Sequence, residues 1–385
     1  MSELSYLEKL LDGVEVEWLP LGEITKYEQP TKYLVKAKDY HDTYTIPVLT
    51  AGKTFILGYT NETHGIYQAS KAPVIIFDDF TTANKWVDFD FKAKSSAMKM
   101  VTSCDDNKTL LKYVYYWLNT LPSEFAEGDH KRQWISNYSQ KKIPIPCPDN
   151  PEKSLAIQSE IVRILDKFTA LTAALTAELT AELNMRKKQY NYYRDQLLSF
   201  KEGEVEWKTL GEVAQFKRGT AITQKQTTPG EIPVVANGPI PTYFHSESNR
   251  QGETIVIARS GAYAGYVSFW NQPIFLTDAF SVHSDLKIVK PKFIYHVLQN
   301  KQEHIHAMKK GAGVPHVRVK EFETYDIPIP PITEQERIVS ILDKFDTLTN
   351  SITEGLPREI ELRQKQYEYY RDLLFSFPKP ETVSK

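Results

Sequence analysis

The chain has 385 residues, of which 41% are hydrophobic and 25% charged, and its formal net charge is −2. This length predicts two or more domains, and the composition is that of an ordinary globular protein rather than a disordered or fibrous one. The two cysteines, Cys104 and Cys147, exclude a disulfide framework. No apolar run reaches the length of a membrane span and the N-terminus lacks a signal-peptide pattern, so we expect a cytoplasmic protein without a membrane partner.

Positive charge is concentrated in two stretches. Residues 18–146 hold 16 Lys and Arg against 14 Asp and Glu, and residues 207–330 hold 14 against 10. These stretches therefore carry +2 and +4, and the remainder carries −8. Such a bias indicates nucleic-acid binding only weakly, because most charged side chains are simply solvated.

The N-terminus resembles a segment from the middle of the chain. Residues 6–11 (YLEKLL) are similar to residues 193–198 (YRDQLL), and each stretch is followed by a Val-Glu-Trp sequence. The chain therefore begins with the last turns of a helix that occurs in full further on. We expect this cyclic order to bring the two termini close together.

Two unlike regions follow the same plan. Each has an Ile-Pro-Val entry (residues 46–48 and 232–234), then a β-type run (74–77 and 254–257), and then an Ile-Pro-Ile-Pro exit (143–146 and 327–330). Proline forbids a helix at the exits, and short apolar runs separated by Gly, Pro and Thr predict mixed α/β domains with many turns.

Each unlike region is followed by a repeated segment. Residues 161–168 (IVRILDKF) return as 338–345 (IVSILDKF), and residues 188–195 (KQYNYYRD) return as 365–372 (KQYEYYRD). Apolar residues three and four apart form one stripe, which predicts two helices of about 40 residues and roughly 60 Å each. A helix with one apolar stripe needs a partner, so we predict an antiparallel coiled coil of the two copies with pseudo-two-fold symmetry. Its predicted contact residues are Phe168, Leu171, Leu175, Leu179, Leu183, Tyr190, Tyr193, Phe345, Leu348, Ile352, Tyr367 and Tyr370.

The middles of the two helices differ. Residues 172–183 read TAAL-TAEL-TAEL, a tandem repeat of four residues. The second helix has Gly355 and Pro357 at the matching level, which predicts a kink or a restart there.

This order of segments resembles the specificity subunit of Type I restriction–modification enzymes over nearly the whole chain. The Thr-Ala-Glu-Leu repeats are similar to those of a subgroup of that family, although Ala174 stands in place of glutamate in the first copy. The resemblance implies α/β target-recognition domains at residues 15–150 and 201–330, and conserved helical spacers at 151–200 and 331–378. Residues 1–14 are then a helix remnant and 379–385 a tail.

The resemblance also implies a function. A specificity subunit has no catalytic activity, reads a bipartite asymmetric sequence in double-stranded DNA, and recruits two modification subunits and further restriction subunits. This chain is then expected to hold no cofactor, while S-adenosylmethionine, ATP and Mg²⁺ belong to its partners.

The residues themselves contain little that indicates catalysis. There is no phosphate-binding Gly-x-x-x-x-Gly-Lys-Ser/Thr loop. Asp78-Asp79 followed by Asp90-Phe91-Lys92 is loosely similar to a metal-dependent nuclease motif, and His304-Ile305-His306 lacks further metal ligands. Two alternatives remain open: a coiled-coil assembly scaffold without DNA sequence specificity, and a single-chain DNA methyltransferase or nuclease.

Candidate DNA-binding residues are cationic or polar residues in glycine-rich loops, because phosphates and base edges are bound by such groups. Residues 130–134 of the first half are predicted to occupy the place of residues 314–318 of the second, and residues 52–54 that of Gly238. The candidates are Gly52, Lys53, His130, Lys131, Arg132, Asn237, Arg259, Ser260, Tyr263, Lys309, Lys310, His316 and Arg318.

The tandem repeat generates a test of the spacer hypothesis. Deletion of residues 176–179 shortens one helix by about 6 Å. We expect the unread gap between the two half-sites to shrink by roughly one or two base pairs, at about 3.4 Å per pair, with both half-sites unchanged. Selection from random DNA measures both properties, and altered half-sites with an unchanged gap would contradict the hypothesis.

Overall fold

A computed structural model describes residues 6–36, 39–50, 54–122, 132–311, 313–351 and 353–379. The chain forms two compact units by its internal contacts. Unit 1 comprises Met1–Ala177 and Glu361–Lys385, and unit 2 comprises Glu178–Ile360.

Short strands make up most of both unlike regions. They are β1 (Val16–Pro20), β2 (Thr25–Glu28), β3 (Ile46–Leu49), β4 (Ile56–Thr60), β5 (Val74–Asp78), β6 (Asn84–Val87), β7 (Lys92–Ala93), β8 (Met98–Ser103), β9 (Lys142–Pro146), β10 (Glu206–Thr209), β11 (Ala214–Arg218), β12 (Ile232–Val235), β13 (Tyr243–His245), β14 (Glu253–Ala258), β15 (Val267–Asn271), β16 (Phe275–Leu276), β17 (Ala279–Ser284) and β18 (Asp326–Ile329).

The helices range from one turn to 47 residues. They are α1 (Tyr6–Leu11), α2 (Leu21–Ile24), α3 (Leu111–Leu118), α4 (Gln133–Ser136), α5 (Pro151–Leu197), α6 (Leu210–Val213), α7 (Pro291–Asn300), α8 (Gln302–Ala307), α9 (Val319–Glu323), α10 (Ile332–Asn350) and α11 (Gly355–Leu374). Single 3₁₀ turns lie at Pro30–Tyr33, Tyr138–Gln140 and Gln224–Gln226. In the described part of the chain, no helix is long and apolar enough to cross a membrane.

The strand order is the same in both units. Unit 1 has sheets in the order β2-β8-β5-β6, β4-β3-β7 and β1-β9, and unit 2 has β11-β17-β14-β15, β13-β12-β16 and β10-β18. The pairs β3–β7 and β12–β16 are parallel, and all other pairs are antiparallel. The two unlike regions are therefore two copies of one fold, as the shared landmarks predicted.

The predicted β-type runs form the central strands β5 and β14. Every residue of β5 is buried, because successive side chains point to opposite faces and both faces are covered. Ile75 and Phe77 pack into one core of unit 1, and Val74 and Ile76 into another. The strand thus joins two small cores into one domain.

The Ile-Pro-Ile-Pro exits are strands β9 and β18. Each pairs with the strand of the Val-Glu-Trp sequence, so that Trp18 lies opposite Pro144 and Trp207 opposite Pro328. A two-stranded ladder leaves one edge of each strand unpaired, where proline loses no hydrogen bond. The exits therefore end the sheets and lead directly into α5 and α10.

The second long segment is two helices rather than one. α5 continues without a break through the tandem repeat, whereas α10 ends at Asn350 and α11 begins at Gly355. Gly355 has φ +80°, and a Cβ there would lie 2.4 Å from the carbonyl oxygen of Thr347. Pro357 sits in the first turn of α11, where its missing N–H is tolerated. The predicted restart is confirmed.

Within each unit the long helices pack side by side. In unit 1 the Phe168 ring lies 5.5 Å from that of Tyr370, and Thr169 Oγ1 donates a 3.1 Å hydrogen bond to Tyr367 Oη. In unit 2 the rings of Tyr190 and Tyr193 stack on Phe345. Since a later residue of α5 meets an earlier residue of α11, the pair in unit 1 is antiparallel. The predicted fold class of mixed α/β domains with packed long helices is confirmed.

One buried glutamine joins each domain to its helix. Gln158 accepts a hydrogen bond from the Leu110 N–H and donates to the Lys108 carbonyl. Gln335 accepts from the Lys290 N–H at 2.9 Å and donates to the carbonyls of Ile288 and Pro330. Both glutamines are fully buried. The joint is therefore the same in both copies.

A carboxylate about two turns along the helix strengthens this joint. Asp166 binds Lys112 and Tyr116 of α3, and Asp343 binds Lys292 and His296 of α7. Burial acts to raise the pKa of Asp343, but the His296 hydrogen bond and the Lys292 charge outweigh it and lower the pKa. The carboxylate therefore remains ionised in the joint.

Residues near the two ends of the described chain lie in one core. Leu7 and Leu11 of α1 pack in the same cluster as Leu374, Phe375 and Phe377. The Trp18 indole N–H donates a 2.9 Å hydrogen bond to the carbonyl of Pro378. The expected proximity of the two termini is confirmed.

The joint generates a stability prediction. In Gln335→Ala the Lys290 N–H and two carbonyls lose their partner, and each buried group left unpaired costs about 1–3 kcal/mol. We expect the Lys290 amide to lose its protection in hydrogen exchange of the full chain, and the free energy of unfolding to fall.

The exposed Gln364 on α11, which bonds Glu368, is the matched control. Gln364→Ala should change the free energy of unfolding by less than about 0.5 kcal/mol. Unchanged protection of Lys290 in Gln335→Ala would show that the glutamine does not hold the joint.

Candidate nucleic-acid interface

Cationic side chains line one cavity in unit 2. It has a volume of about 340 Å³ and lies where β11 and β14 end and where the chain approaches α9. Its polar lining residues are Arg218, Arg259, His316, Arg318 and Lys320. Three of these were predicted as DNA-binding residues from the sequence, and the fold brings them together.

Backbone hydrogen bonds form this corner. The Val317 N–H donates to the Arg259 carbonyl at 2.9 Å, and the Gly261 N–H donates to the Pro315 carbonyl at 2.9 Å. Lys310 and His316 exchange two backbone hydrogen bonds, at 3.0 and 2.9 Å. The loop after β14 and the segment before α9 therefore act as one short ladder that presents Arg259 beside His316.

Sequence reasoning missed Arg218 because its position depends on strand pairing. It lies opposite Phe280 at the end of β11, and Gly219 follows it. A Cβ on Gly219 would lie 1.9 Å from the Thr277 carbonyl oxygen, so only glycine allows this close approach. The sequence signal that could have identified Arg218 is an arginine followed directly by glycine at the end of a short stretch of strand-forming residues.

The partly buried Arg250 stabilises the same end of β11 through hydrogen bonds. Its guanidinium donates to Ser281 Oγ at 2.7 Å and to the carbonyls of Lys217 and Arg218 at 3.3 and 2.8 Å. Burial lowers the pKa of this guanidinium. Arg250 thus supports the position of Arg218 without lining the cavity itself.

One carboxylate stands among these cations. Asp278 Oδ1 lies 3.9 Å from Arg259 Nη1, and the Asp278 carboxylate also accepts hydrogen bonds from Ser260 Oγ and Asn237 Nδ2. Asn237 and Ser260, both predicted from the sequence, therefore bind the carboxylate beside Arg259.

The predicted lysines are held by other groups. Lys309 Nζ donates to the Ala262 carbonyl at 2.9 Å, and Lys310 Nζ lies 2.7 Å from Glu321 Oε1. Burial acts to raise the pKa of Glu321, but Lys310 and the Arg318 N–H lower it. The Tyr263 ring is half exposed and contacts Tyr266. These residues border the loop and do not line the cavity.

The equivalent corner of unit 1 contains a buried ion pair. Asp79 and Lys99 are both fully buried, with Oδ2 and Nζ 3.3 Å apart, and Arg132 Nη1 lies 3.9 Å from the same oxygen. The Trp134 N–H donates to Asp79 Oδ1 at 3.0 Å. Lys99 Nζ also lies 4.9 Å from the centre of the Tyr27 ring. Of the predicted residues here, Arg132 is exposed at the surface of this corner.

Several predicted residues lie outside the described part of the chain. They are Gly52, Lys53, His130 and Lys131 of the first half and Ile352 of the second spacer.

The remaining predicted spacer residues form a half-buried stripe. Leu175, Leu179, Leu183 and Leu348 are half-buried, and Leu171 is 56% exposed. Tyr190, another predicted contact residue, is buried instead, and this burial raises the pKa of its hydroxyl to about 12. In unit 1 a groove of about 140 Å³ is lined by residues that include Phe168, Leu171, Leu175, Tyr367 and Tyr370. Two helices alone do not enclose the stripe, so apolar surface remains open.

The apparent nuclease motif serves the fold. Asp78 Oδ1 accepts the N–H of Phe80 at 2.8 Å, and Asp79 binds Lys99. His306 Nδ1 lies 3.1 Å from the Ala264 carbonyl oxygen, and the His304 ring contacts Tyr325. Among the described residues, no group of three His, Cys, Asp or Glu side chains is placed to hold a metal ion.

Comparison with known proteins identifies the family. The model of the Type I restriction modification DNA specificity domain matches residues 13–185 and 202–362. The chain is 70% identical to the Type I restriction enzyme EcoR124I/EcoR124II specificity subunit of Escherichia coli, with all of both chains covered. It is 38% identical to the EcoprrI specificity subunit of the same species, over 92% of this chain and 93% of that one.

The fold is similar to solved structures of the same class. The S subunit of the M. genitalium Type I restriction–modification system aligns with a TM-score of 0.58 at 17% identity, covering 98% of this chain and 99% of that one. A chain from a study of complex assembly in the type I system aligns with a TM-score of 0.57 at 15% identity, covering 94% and 97%. The resemblance noted in the sequence is thereby confirmed: the chain belongs to the DNA specificity subunits of type I restriction–modification systems, which are non-catalytic subunits.

Proposed function

We propose that each α/β domain binds one half of a bipartite target in double-stranded DNA through the corner described above. In this proposal residues 15–150 and 201–330 are the recognition domains, and residues 151–200 and 331–378 are the spacers that set the gap. The observation that carries it is the cavity of unit 2. Arg218, Arg259, Arg318 and Lys320 converge there in a chain whose net charge is −2.

Converging cations suit a phosphate backbone. DNA carries one negative charge per about 1.7 Å of helix axis, and Lys or Arg side chains that approach it release counterions. The glycine at the end of β11 and the short ladder after β14 bring main chain and guanidinium groups to the same surface. His130 and Lys131 next to Arg132, and Gly52 with Lys53, are proposed to serve the first domain in the same way.

The two domains carry different side chains at this corner, so they should read different half-sites. Unit 2 presents Arg259 where unit 1 has the buried Asp79, and Phe280 where unit 1 has Lys99. Phosphate contacts alone carry no sequence information, so the difference in side chains is what makes an asymmetric target possible.

The open apolar stripe of the helices is proposed to dock modification subunits. Leu171 and Tyr370 are exposed although both belong to the repeated apolar pattern. The modification subunits would supply S-adenosylmethionine chemistry on adenine, and restriction subunits would supply ATP- and Mg²⁺-dependent cleavage. The target adenine must leave the base stack for methylation. The assembled complex would act in the cytoplasm.

The defining experiment maps methylated adenines genome-wide in cells that express this chain with its modification partner. We expect one bipartite motif with two unlike half-sites and a constant gap. A modification partner without methyl-transfer activity is the control. Methylation without sequence preference would favour the assembly-scaffold alternative, and methylation by the isolated chain would favour a single-chain enzyme.

The cations of the cavity generate a second prediction. Arg218→Ala, Arg318→Ala or Lys320→Ala in the complex with the modification partner should weaken binding to target and scrambled duplexes alike. Removal of one phosphate-binding cation should reduce the slope of log affinity against log salt by about 0.9.

Lys287→Ala is the matched control. Lys287 is exposed and follows the C-terminal end of β17, whereas the cavity lies near the N-terminal end of that strand. Its salt slope should equal that of the parent chain. Parent-like slopes for all three cavity variants would remove the cavity from the DNA-binding surface.

A further inference from the structure

An arginine stands beside a carboxylate at the same corner in both domains. Arg259 Nη1 lies 3.9 Å from Asp278 Oδ1 in unit 2, and Arg132 Nη1 lies 3.9 Å from Asp79 Oδ2 in unit 1. Both arginines are about half exposed, at 53% and 49% of the side chain. The two pairs thus have the same distance between nitrogen and oxygen, and their arginines are exposed to a similar extent.

The shared strand register shows that the two pairs are built from different elements, since Asp79 follows β5 whereas Asp278 precedes β17. Phe77 lies opposite Lys99, and Ile257 lies opposite Phe280. The residue after the end of the central strand is therefore Asp79 in unit 1 and Arg259 in unit 2. The arginine follows the central strand in one copy, and the carboxylate follows it in the other.

The segment that bonds to this strand end through its main chain carries the arginine in unit 1 and a histidine in unit 2. The Gln133 N–H donates to the Asp79 carbonyl at 2.8 Å, as the Val317 N–H does to that of Arg259 at 2.9 Å. Arg132 therefore occupies the place of His316. The charges have changed elements between the copies, yet each corner still presents one guanidinium beside one carboxylate.

Both carboxylates are themselves held in place. Asp79 accepts the Trp134 N–H and pairs with the buried Lys99. Asp278 accepts hydrogen bonds from Ser260 and Asn237. A fixed carboxylate restrains the direction of a long arginine side chain, which otherwise samples many rotamers.

A neighbouring carboxylate distinguishes between two kinds of DNA contact. In unit 2 the Asp278 carboxylate weakens the attraction of the Arg259 guanidinium for a phosphate, since like charges would then face each other. In unit 1 the buried Lys99 offsets the charge of Asp79, so there the carboxylate acts on the direction of Arg132. A base edge carries no net charge and instead requires a defined direction of the two parallel N–H donors. The 3.9 Å separation exceeds hydrogen-bond range, so the pair itself does not occupy those donors.

We infer that Arg132 and Arg259 are specificity-determining residues, one for each half-site, and that each reads a guanine through its O6 and N7 atoms. Asp79 and Asp278 are positioning residues that orient them. This inference rests on the proposed function, and it separates these two arginines from Arg218, Arg318 and Lys320, which bind phosphates.

The first test compares Arg259→Lys, Arg259→Ala and Arg132→Lys in the complex with the modification partner. Binding is measured on duplexes in which each position of the motif is varied singly. Lysine keeps the charge but lacks the planar fork. We expect Arg259→Lys to lose about 10- to 100-fold of discrimination at one base pair of one half-site, with a parent-like salt slope. Arg132→Lys should do the same in the other half-site only.

The second test addresses the carboxylate. Asp278→Asn is the cleaner substitution, because Asp278 is 42% exposed whereas Asp79 is fully buried against Lys99. We expect weaker discrimination at the base pair that Arg259 reads, together with tighter binding to scrambled DNA. In the double variant that combines Asp278→Asn with Arg259→Lys, the loss of discrimination should not exceed that of Arg259→Lys alone, because both substitutions act on the same contact. A purely structural defect would instead lower the affinity for all duplexes.

The outcomes separate this inference from the proposed function. If the parent complex selects two half-sites but Arg259→Lys retains full discrimination, the inference is wrong and the proposed function stands. If Arg259→Lys and Arg132→Lys alter the same half-site, the assignment of one domain to each half-site fails together with the inference. If the parent complex selects no sequence, the proposed function itself fails. Lys287→Ala should match the parent at every position.

Discussion

The buried glutamine joint is the constraint on which the rest of the structure depends. In the proposed function, the helices can set the gap between two half-sites only if each recognition domain is fixed rigidly to its helix. Gln158 and Gln335 satisfy main-chain groups of the domain from within the helix, and Asp166 and Asp343 add charged contacts. Because these partners are buried, rotation of a domain on its helix would leave polar groups without hydrogen bonds. The same solution in both copies explains why the glutamine and the aspartate recur at one offset in otherwise unlike surroundings.

Within this fixed frame the two copies carry their charged residues on different elements. Asp79, which follows β5, must be neutralised, because an unpaired buried carboxylate is costly. Lys99 on the neighbouring strand supplies the charge, and it takes the place that Phe280 holds in the other copy. The aromatic contact of Phe216 with Phe280 becomes a contact of Tyr27 with Lys99. One change at the end of β5 is thus matched by changes on the next two strands of the sheet, β8 and β2, which is how one fold supports two different surfaces.

Predictions of the fold and predictions of the candidate site had different outcomes. The restart at Gly355, the strands at residues 74–77 and 254–257, and the proximity of the termini follow from local backbone chemistry and internal repetition, and all were predictable. In the candidate site, Arg259, His316 and Arg318 were predicted because they stand in polar or glycine-rich segments. Arg218 and Asp278 were not, because their positions depend on strand pairing, and Lys320 was not, because it reaches the cavity from the short helix α9. The lysines at 309 and 310 stay predictions as DNA contacts, since long flexible side chains bind the nearest acceptor, which here is Ala262 or Glu321.

The sequence by itself determined the duplication, the fold class and the two long helical segments, and its resemblance to known proteins indicated the family. The first three depend on periodicity, repetition or the restrictions of proline and glycine, which can be read from the chain without knowledge of its tertiary contacts. Only the tertiary structure decided which charged groups meet at each corner. Asp79 meets Lys99 and Arg132, and Arg259 meets Asp278, because strands and loops far apart in sequence pair in one register. A carboxylate beside an arginine is a property of that register, and no local pattern of residues encodes it.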